Sequence, residues 1–286
     1  MKILVITGGG VFGYIPATLL TNSHLNQHGY EIADVFGGTS VGGILTMMLN
    51  YGYKPTELKD IFSKMCLKAF SNSFWDSLKI FGPRYTGINL EKGLYEIFGE
   101  DTFGSLKKPI FISSVDFKHN IPKIMDNITE DEDNHWKLWE ISRITSAAPT
   151  YFPPYKNYID GGLIANNPVI ITTCGIKDKM GIPFNEMDVF VIGTGSLKDP
   201  NRNMNSVKSW SSVQWLMPLL DYLTNANEMC ADFEAKQIGF KSYTYFNPVI
   251  LDGWDMDRTD ILNDLDKLIN PYQIEFNKLF RRFLIK

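Results

Sequence analysis

Cysteine is scarce in this chain of 286 residues: Cys66, Cys174 and Cys230 are the only three. They are odd in number, far apart and form no C-x-x-C pair. Neither a disulfide framework nor a zinc cluster is encoded, and a reducing compartment is expected. Long apolar runs are missing as well; none approaches the roughly 20 residues of a membrane span. The opening Ile3-Leu4-Val5-Ile6 is apolar but is soon broken by Gly8, Gly9 and Gly10. A secretory segment would continue for about 7–15 apolar residues to a small-residue cleavage site. A basic excess is lacking too. The 28 Lys and Arg against 32 Asp and Glu leave a formal charge of −4, the wrong sign for a dedicated nucleic-acid binder. No repeat, low-complexity tract or linker stands out. These absences predict a soluble cytoplasmic protein with no nucleic-acid partner.

What is present is ordinary globular composition, 44% hydrophobic and 21% charged, too apolar for a disordered chain. Residues 3–6 read as a buried strand feeding a glycine loop, 8–13, and a helix over about 14–25. Residues 32–36 read as a second buried strand, with Asp34 inside it. It feeds Gly37-Gly38-Thr39-Ser40-Val41-Gly42-Gly43 and a helix over about 41–50. Two strand–loop–helix units in tandem predict α/β architecture, with a central mostly parallel sheet and helices on both faces. Further helices are expected over 56–70, 90–98, 136–146 and 213–238 and from 259 to the end. Further strands are expected over 109–117, 158–160, 188–192 and 243–246.

Three local patterns carry chemistry. Gly38-Thr39-Ser40-Val41-Gly42 matches G-x-S-x-G, in which a sharp strand-to-helix turn exposes the serine and the glycines leave room for neighbouring backbone. A plain glycine turn with an N-capping serine is the ordinary alternative, but the flanking strand and helix supply the context a nucleophile needs. Gly8-Gly9-Gly10-Val11-Phe12-Gly13 satisfies G-x-G-x-x-G. A dinucleotide loop would want an acidic residue at the tip of the second strand, and none stands there. The other reading is an oxyanion hole of backbone N–H groups. A Walker loop is excluded, since no G-K-[ST] follows. Finally, Asp160-Gly161-Gly162 closes a short strand. Its ordinary reading is a turn aspartate; its candidate role is the base a serine requires. None of the histidines, His24, His28, His119 and His135, follows a strand end as a triad histidine would.

Weaker signals have bland readings. Residues 61–85 mix Phe74, Trp75, Phe81 and Tyr85 with Lys64, Lys68, Lys79 and Arg84, which suits either a helical cap over the core or a lipid interface. Glu130-Asp131-Glu132-Asp133 reads as a solvated loop. Asp252 to Asp257 lacks the glycine and glutamate of a calcium loop, and Asp257 and Thr259 read as helix start signals. The basic tail around Arg281 and Arg282 reads as a solvated helix face.

In combination these motifs resemble the patatin-like phospholipases. That family joins a D-G-G-G-x-[RK]-G loop near the N-terminus, a G-x-S-x-G elbow and a D-G-[GA] motif, in this order. The stretches 146–154 and 160–168 also look like the family, as does Gly193-Thr194-Gly195. The resemblance implies a three-layer α/β/α fold, with a patatin-like catalytic core over 1–200 and a C-terminal helical region over 201–286 completing the same domain. It implies a Ser40–Asp160 dyad without histidine, and an oxyanion loop of Gly9 and Gly10 shaped by Gly8 and Gly13. Metal and cofactor are not required. The implied reaction is phospholipase A or lysophospholipase hydrolysis through an acyl-serine, at a transient membrane surface. A carboxylesterase or thioesterase for small acyl substrates, and a non-catalytic lipid binder, are the rival readings. Thr7 and Phe12 replace the family's acidic and basic loop residues. Phe12 is expected to pack the loop apolarly and to turn preference away from anionic head groups.

Overall fold

The computed structural model describes residues 1–71, 82–197, 207–250 and 255–285. Nine strands occur among them: β1 (Lys2–Ile6), β2 (Val35–Thr39), β3 (Ile110–Asp116), β4 (Ile121–Asp126), β5 (Tyr158–Asp160), β6 (Asp188–Ile192), β7 (Ser196–Leu197), β8 (Ser242–Phe246) and β9 (Val249–Ile250). The main sheet has seven strands in the order β4-β3-β2-β1-β6-β8, with β5 also on β3; β7 and β9 form a separate pair. Strands β3, β2, β1, β6 and β8 are parallel, whereas β4 and β5 run antiparallel to β3. The mostly parallel sheet expected from sequence is therefore present.

Both faces of the central strands are covered, which is why they read as continuous apolar runs rather than alternating ones. Leu4, Ile6, Phe36, Ile110, Ile112, Phe190 and Ile192 face one core. Ile3, Val5, Val35, Phe111, Val189 and Val191 face the other. The first core is covered by α1 (Tyr14–Thr21), α2 (Val41–Tyr51), α3 (Leu58–Ala69), α4 (Ile88–Phe98) and α5 (Leu138–Thr145). The second is covered, after the short α6 (Gly162–Ala165), by α7 (Val169–Met180) and α8 (Ser212–Gln237). The last helices, α9 (Leu262–Ile269) and α10 (Gln273–Ile285), return to the first core. Phe276, Phe280 and Phe283 of α10 recur at helical spacing and pack on Phe190 of β6, while Lys278, Arg281 and Arg282 stay exposed. Residues beyond 200 thus supply strand β8 as well as helices, and the expected boundary at 200 falls outside the described residues.

Several elements differ from the sequence expectation. The second strand starts at Val35 and runs through Gly37 and Gly38 to Thr39, because these glycines sit in strand register against β1 and β3. They read as loop, yet they are there for close approach: a Cβ on Gly37 would strike Thr172 of α7, and one on Gly38 would strike the backbone of Gly42 and Gly43. Asp34 precedes the strand and accepts the Lys2 N–H at 2.7 Å. Helix α1 stops at Thr21, not near Leu25; His24 takes a left-handed φ of 58°. Strand β4 was not anticipated, since Pro122 weakens its pattern, and it lies at the sheet edge where proline is tolerated. Asp133 is buried and paired with Lys123 at 2.5 Å rather than solvated. Asp257 pairs with the Arg84 guanidinium and accepts the Tyr85 hydroxyl at 2.7 Å, rather than starting a helix. Phe74, Trp75, Lys79 and Phe81 lie outside the described residues, as do Asp252, Gly253 and Trp254.

Phe280 is fully enclosed, with ring centroids 5.2 Å from Phe190 and 5.1 Å from Phe276. Phe280→Ala should cost about 3–5 kcal/mol through lost burial and a cavity. Urea unfolding checks this; a loss below about 1 kcal/mol would mean that α10 does not seal the sheet.

Candidate active site

The G-x-S-x-G turn is the point where β2 becomes α2. Ser40 sits between them at φ 52° and ψ −127°, a region costly for a residue with a side chain. The glycines make the turn possible: a Cβ on Gly42 would strike the carbonyls of Ile6 and Thr7. The Ser40 N–H donates to Thr145 Oγ1 at 2.8 Å, and that hydroxyl donates to Ser113 O at 2.7 Å. Thr39 Oγ1 donates to Ala165 O at 2.6 Å and pairs with Ser113 Oγ at 2.5 Å. Val41 opens α2 and lines the cavity described below.

Asp160 arrives from the opposite direction. Strand β2 pairs with β3 as far as Thr39 opposite Ser113, and β5 pairs with β3 from Asp160 opposite Ser114. Strand β4 fills the other edge of β3 at this height, so β2 and β5 share one edge and meet end to end. Ser40 Oγ donates to Asp160 Oδ2 at 2.6 Å, and Asp160 Oδ1 accepts the Gly162 N–H at 2.7 Å. Gly161 packs where a Cβ would strike Ser113. Burial pushes the Asp160 carboxyl up to about 6, against the two hydrogen bonds that favour its charged form.

The glycine loop follows β1. Gly8 N–H donates to Asn166 O at 3.0 Å and Val11 N–H to Met256 O at 2.7 Å. Between them Gly9 and Gly10 line the cavity with Ser40 and Asp160. Gly10 has φ 58°, and its missing Cβ admits Met256. Gly13 lies away from the cavity, packed on Val41 and Phe62. Thr7, at the family's acidic position, accepts the Thr194 N–H at 3.1 Å, and Thr194 Oγ1 donates to Gly8 O. Phe12, at the basic position, is buried in the first core and does not line the cavity.

The cavity encloses about 950 Å³, open solvent at its mouth included. Ile44 of α2, Met65 of α3, Phe70 just after it, Leu90 of α4, Leu220 of α8 and the loop residue Phe152 give it an apolar wall, suited to an alkyl chain more than to a polar metabolite. Cys66 also lines it, but burial pushes its thiol far up, away from thiolate chemistry. No histidine lines the cavity; His28 bonds Gly52 O and His119 bonds Asp116. Among the described residues no group of His, Cys, Asp and Glu has a metal-holding arrangement, and no helix is long and apolar enough to cross a membrane.

Sequence reasoning missed Thr145, which carries no motif, and the backing of the glycine loop by Asn227 and Glu228 of α8. Their only signal is polar residues on the same helical face as Ala231 and Ala235. Asn166, within the family-like stretch 160–168, also lines the cavity.

An α/β fold that sets a serine on a strained strand–helix turn, against a buried carboxylate and beside a glycine loop, has the geometry that the G-x-S-x-G motif requires. Comparison specifies the family. Residues 4–173 match the profile of the patatin-like phospholipases, and the chain belongs to that family, whose general activity is lipid acyl hydrolysis. Patatin-like protein 2 of Arabidopsis thaliana is 30% identical over 294 residues, 83% of this chain and 72% of that protein. The cGAMP-activated phospholipase of Vibrio cholerae is 31% identical over 228 residues, 69% of this chain and 64% of that one. The crystal structure of VipD from Legionella pneumophila aligns with 98% of this chain and 67% of its own, with TM-score 0.49 and 13% identity.

The raised Asp160 carboxyl has a stability consequence. Folded, it holds its proton up to about pH 6; unfolded, it loses it near pH 4. Its ionisation therefore weakens the fold as pH rises through this window, by at most roughly 3 kcal/mol above it. Asp160→Asn should match the wild type in urea at pH 4 and exceed it at pH 8. Equal stability at both pH values would show that the carboxylate is not desolvated.

Proposed function

We propose that this chain cleaves a fatty-acyl ester of a phospholipid or lysophospholipid, with Ser40 as nucleophile and Asp160 as base. The observation that carries the reading is the 2.6 Å hydrogen bond from Ser40 Oγ to Asp160 Oδ2 inside an apolar cavity. Asp160 takes the hydroxyl proton as Oγ attacks the acyl carbonyl carbon. The oxygen that gains charge faces the N–H groups of Gly9 and Gly10 and the N-terminal end of α2. Asp160 returns the proton to the leaving lysolipid or glycerol oxygen. It then deprotonates water, which attacks the acyl-serine carbonyl, and passes that proton to Ser40 Oγ as the ester bond breaks and the fatty acid leaves. Each half-reaction starts from ionised Asp160, so turnover rises through about pH 6.

A lipid surface as the place of action has its own support. The helices that line the cavity also expose Leu67 on α3, Ile88 on α4, and Leu219 and Leu223 on α8. Exposed apolar side chains on these helices suit peripheral contact with a cytoplasmic membrane face. Burial of Phe12 leaves the loop without the family's fixed cation, which favours neutral over anionic head groups.

Fatty-acid release from mixed phosphatidylcholine and phosphatidylglycerol vesicles tests the reading. Wild type should release fatty acid, faster from phosphatidylcholine. Ser40→Ala and Asp160→Asn should each lower release at least about 10³-fold, as removal of a member of a catalytic unit does. Equal release by all three proteins would refute the dyad. Hydrolysis of short water-soluble esters alone would favour the small-acyl esterase.

A further inference from the structure

Gly8 opens the glycine loop and is held from two sides. Asn166 O accepts its N–H at 3.0 Å, and Thr194 Oγ1 donates to its carbonyl. Both supports lead back to one buried side chain, Glu228 on α8. Asn166 Nδ2 donates to Glu228 Oε2 at 2.5 Å. Tyr245 OH donates to Glu228 Oε1, and Asn247 Nδ2 lies 3.4 Å from the same oxygen. Asn247 Oδ1 in turn accepts the Gly195 N–H at 2.7 Å, next to Thr194.

A carboxylate only accepts hydrogen bonds, so it dictates which end of each amide faces it. Asn166 must turn its NH₂ to Glu228. Its Oδ1 then lies against Gly8 and Gly162, the first residue of the loop and the residue whose N–H holds Asp160. Next along α8, Asn227 Oδ1 accepts the Asn166 N–H at 2.8 Å and Asn227 Nδ2 donates to Gly162 O at 2.9 Å.

We infer that Glu228 is a positioning residue: its carboxylate fixes Asn166 and, through it, the glycine loop that meets the developing oxyanion. The inference rests on the acyl-hydrolase reading of that loop. Glu228 touches no substrate and transfers no proton. An unpaired buried carboxylate would be costly, and here three donors converge on it.

A positioning role has a pH signature that simple packing lacks. Burial pushes the Glu228 carboxyl up to about 7, against its hydrogen bonds from Tyr245 and Asn166. The ionisable groups around it are Tyr245 and Tyr243 of β8 and Asp232 on its own helix, with Asp160 beyond Asn166. Near neutral pH a proton on Glu228 removes the strict demand for the Asn166 NH₂, and the loop loses its set position.

The test measures kcat and KM for p-nitrophenyl butyrate from pH 5 to 9, with wild type, Ser40→Ala, Glu228→Gln and Tyr245→Phe. Wild-type kcat should rise in two steps, near pH 6 and near pH 7. Glu228→Gln should lose the upper step, keep the lower one, and show kcat lower by about ten-fold at pH 8 with KM little changed; this is a fraction of what loss of an oxyanion donor costs. Tyr245→Phe removes one donor to the carboxylate and should move the upper step to higher pH. A Glu228→Gln profile identical to wild type would overturn the inference while leaving the dyad intact. Should Glu228→Gln fail to fold, an upper step left in place by Tyr245→Phe would overturn it as well. Wild-type turnover no greater than that of Ser40→Ala would overturn the acyl-hydrolase reading and this inference with it.

Discussion

One edge of β3 is shared by two strands running in opposite directions, and the site depends on that junction. Strand β2 ends at Thr39 beside Ser113, and β5 ends at Asp160 beside Ser114. The serine that follows β2 and the aspartate that closes β5 are therefore delivered to one point by backbone pairing, with no flexible loop between either residue and the sheet. Side chains reinforce the junction. Thr39 bonds Ser113 and Ala165, and Thr145 links the Ser40 N–H to Ser113 O. Sites built on rigid strands keep their geometry better than sites on loops. The strained φ of Ser40 is tolerated because the packed glycines around it leave the chain no easier path.

The same burial that makes the cavity apolar tunes its chemistry. Asp160 is raised to about 6 because water is excluded from it, and its hydrogen bonds from Ser40 and Gly162 keep it from rising further. A carboxyl in this range is ionised at neutral pH yet basic enough to take a proton in the transition state. The proposed dyad calls for no histidine, and none lines the cavity. Behind the site lies a second buried carboxyl, Glu228, tied to the glycine loop through Asn166. The two carboxyls have different neighbours: one faces a hydroxyl, the other faces amides and a phenol.

Much of this was legible in the sequence, for identifiable reasons. The buried strands showed as apolar runs, and the elbow and the Asp-Gly-Gly turn showed because close backbone approach demands glycine at fixed spacing. The same glycines misled at Gly37 and Gly38, where an absent side chain signifies tight packing on α7 and α2 within a strand rather than a turn. Strand β4 was hidden by Pro122 at an edge. The junction of β2 and β5 could not be read at all, since register across a sheet is set by long-range pairing. Thr145 and Glu228 were illegible for the same reason: each matters only because the fold brings a distant backbone group to it.

The proposed mechanism requires that the end-to-end strands make Ser40 and Asp160 one chemical unit. Phosphonylation by a long-chain alkyl fluorophosphonate, followed by intact mass and peptide mapping between pH 5 and 8, measures it directly. A single adduct on Ser40, forming at a rate that climbs through about pH 6 and collapses in Asp160→Asn, is the predicted result. An adduct on another residue, or Ser40 labelling equally fast in wild type and Asp160→Asn across that range, would contradict it.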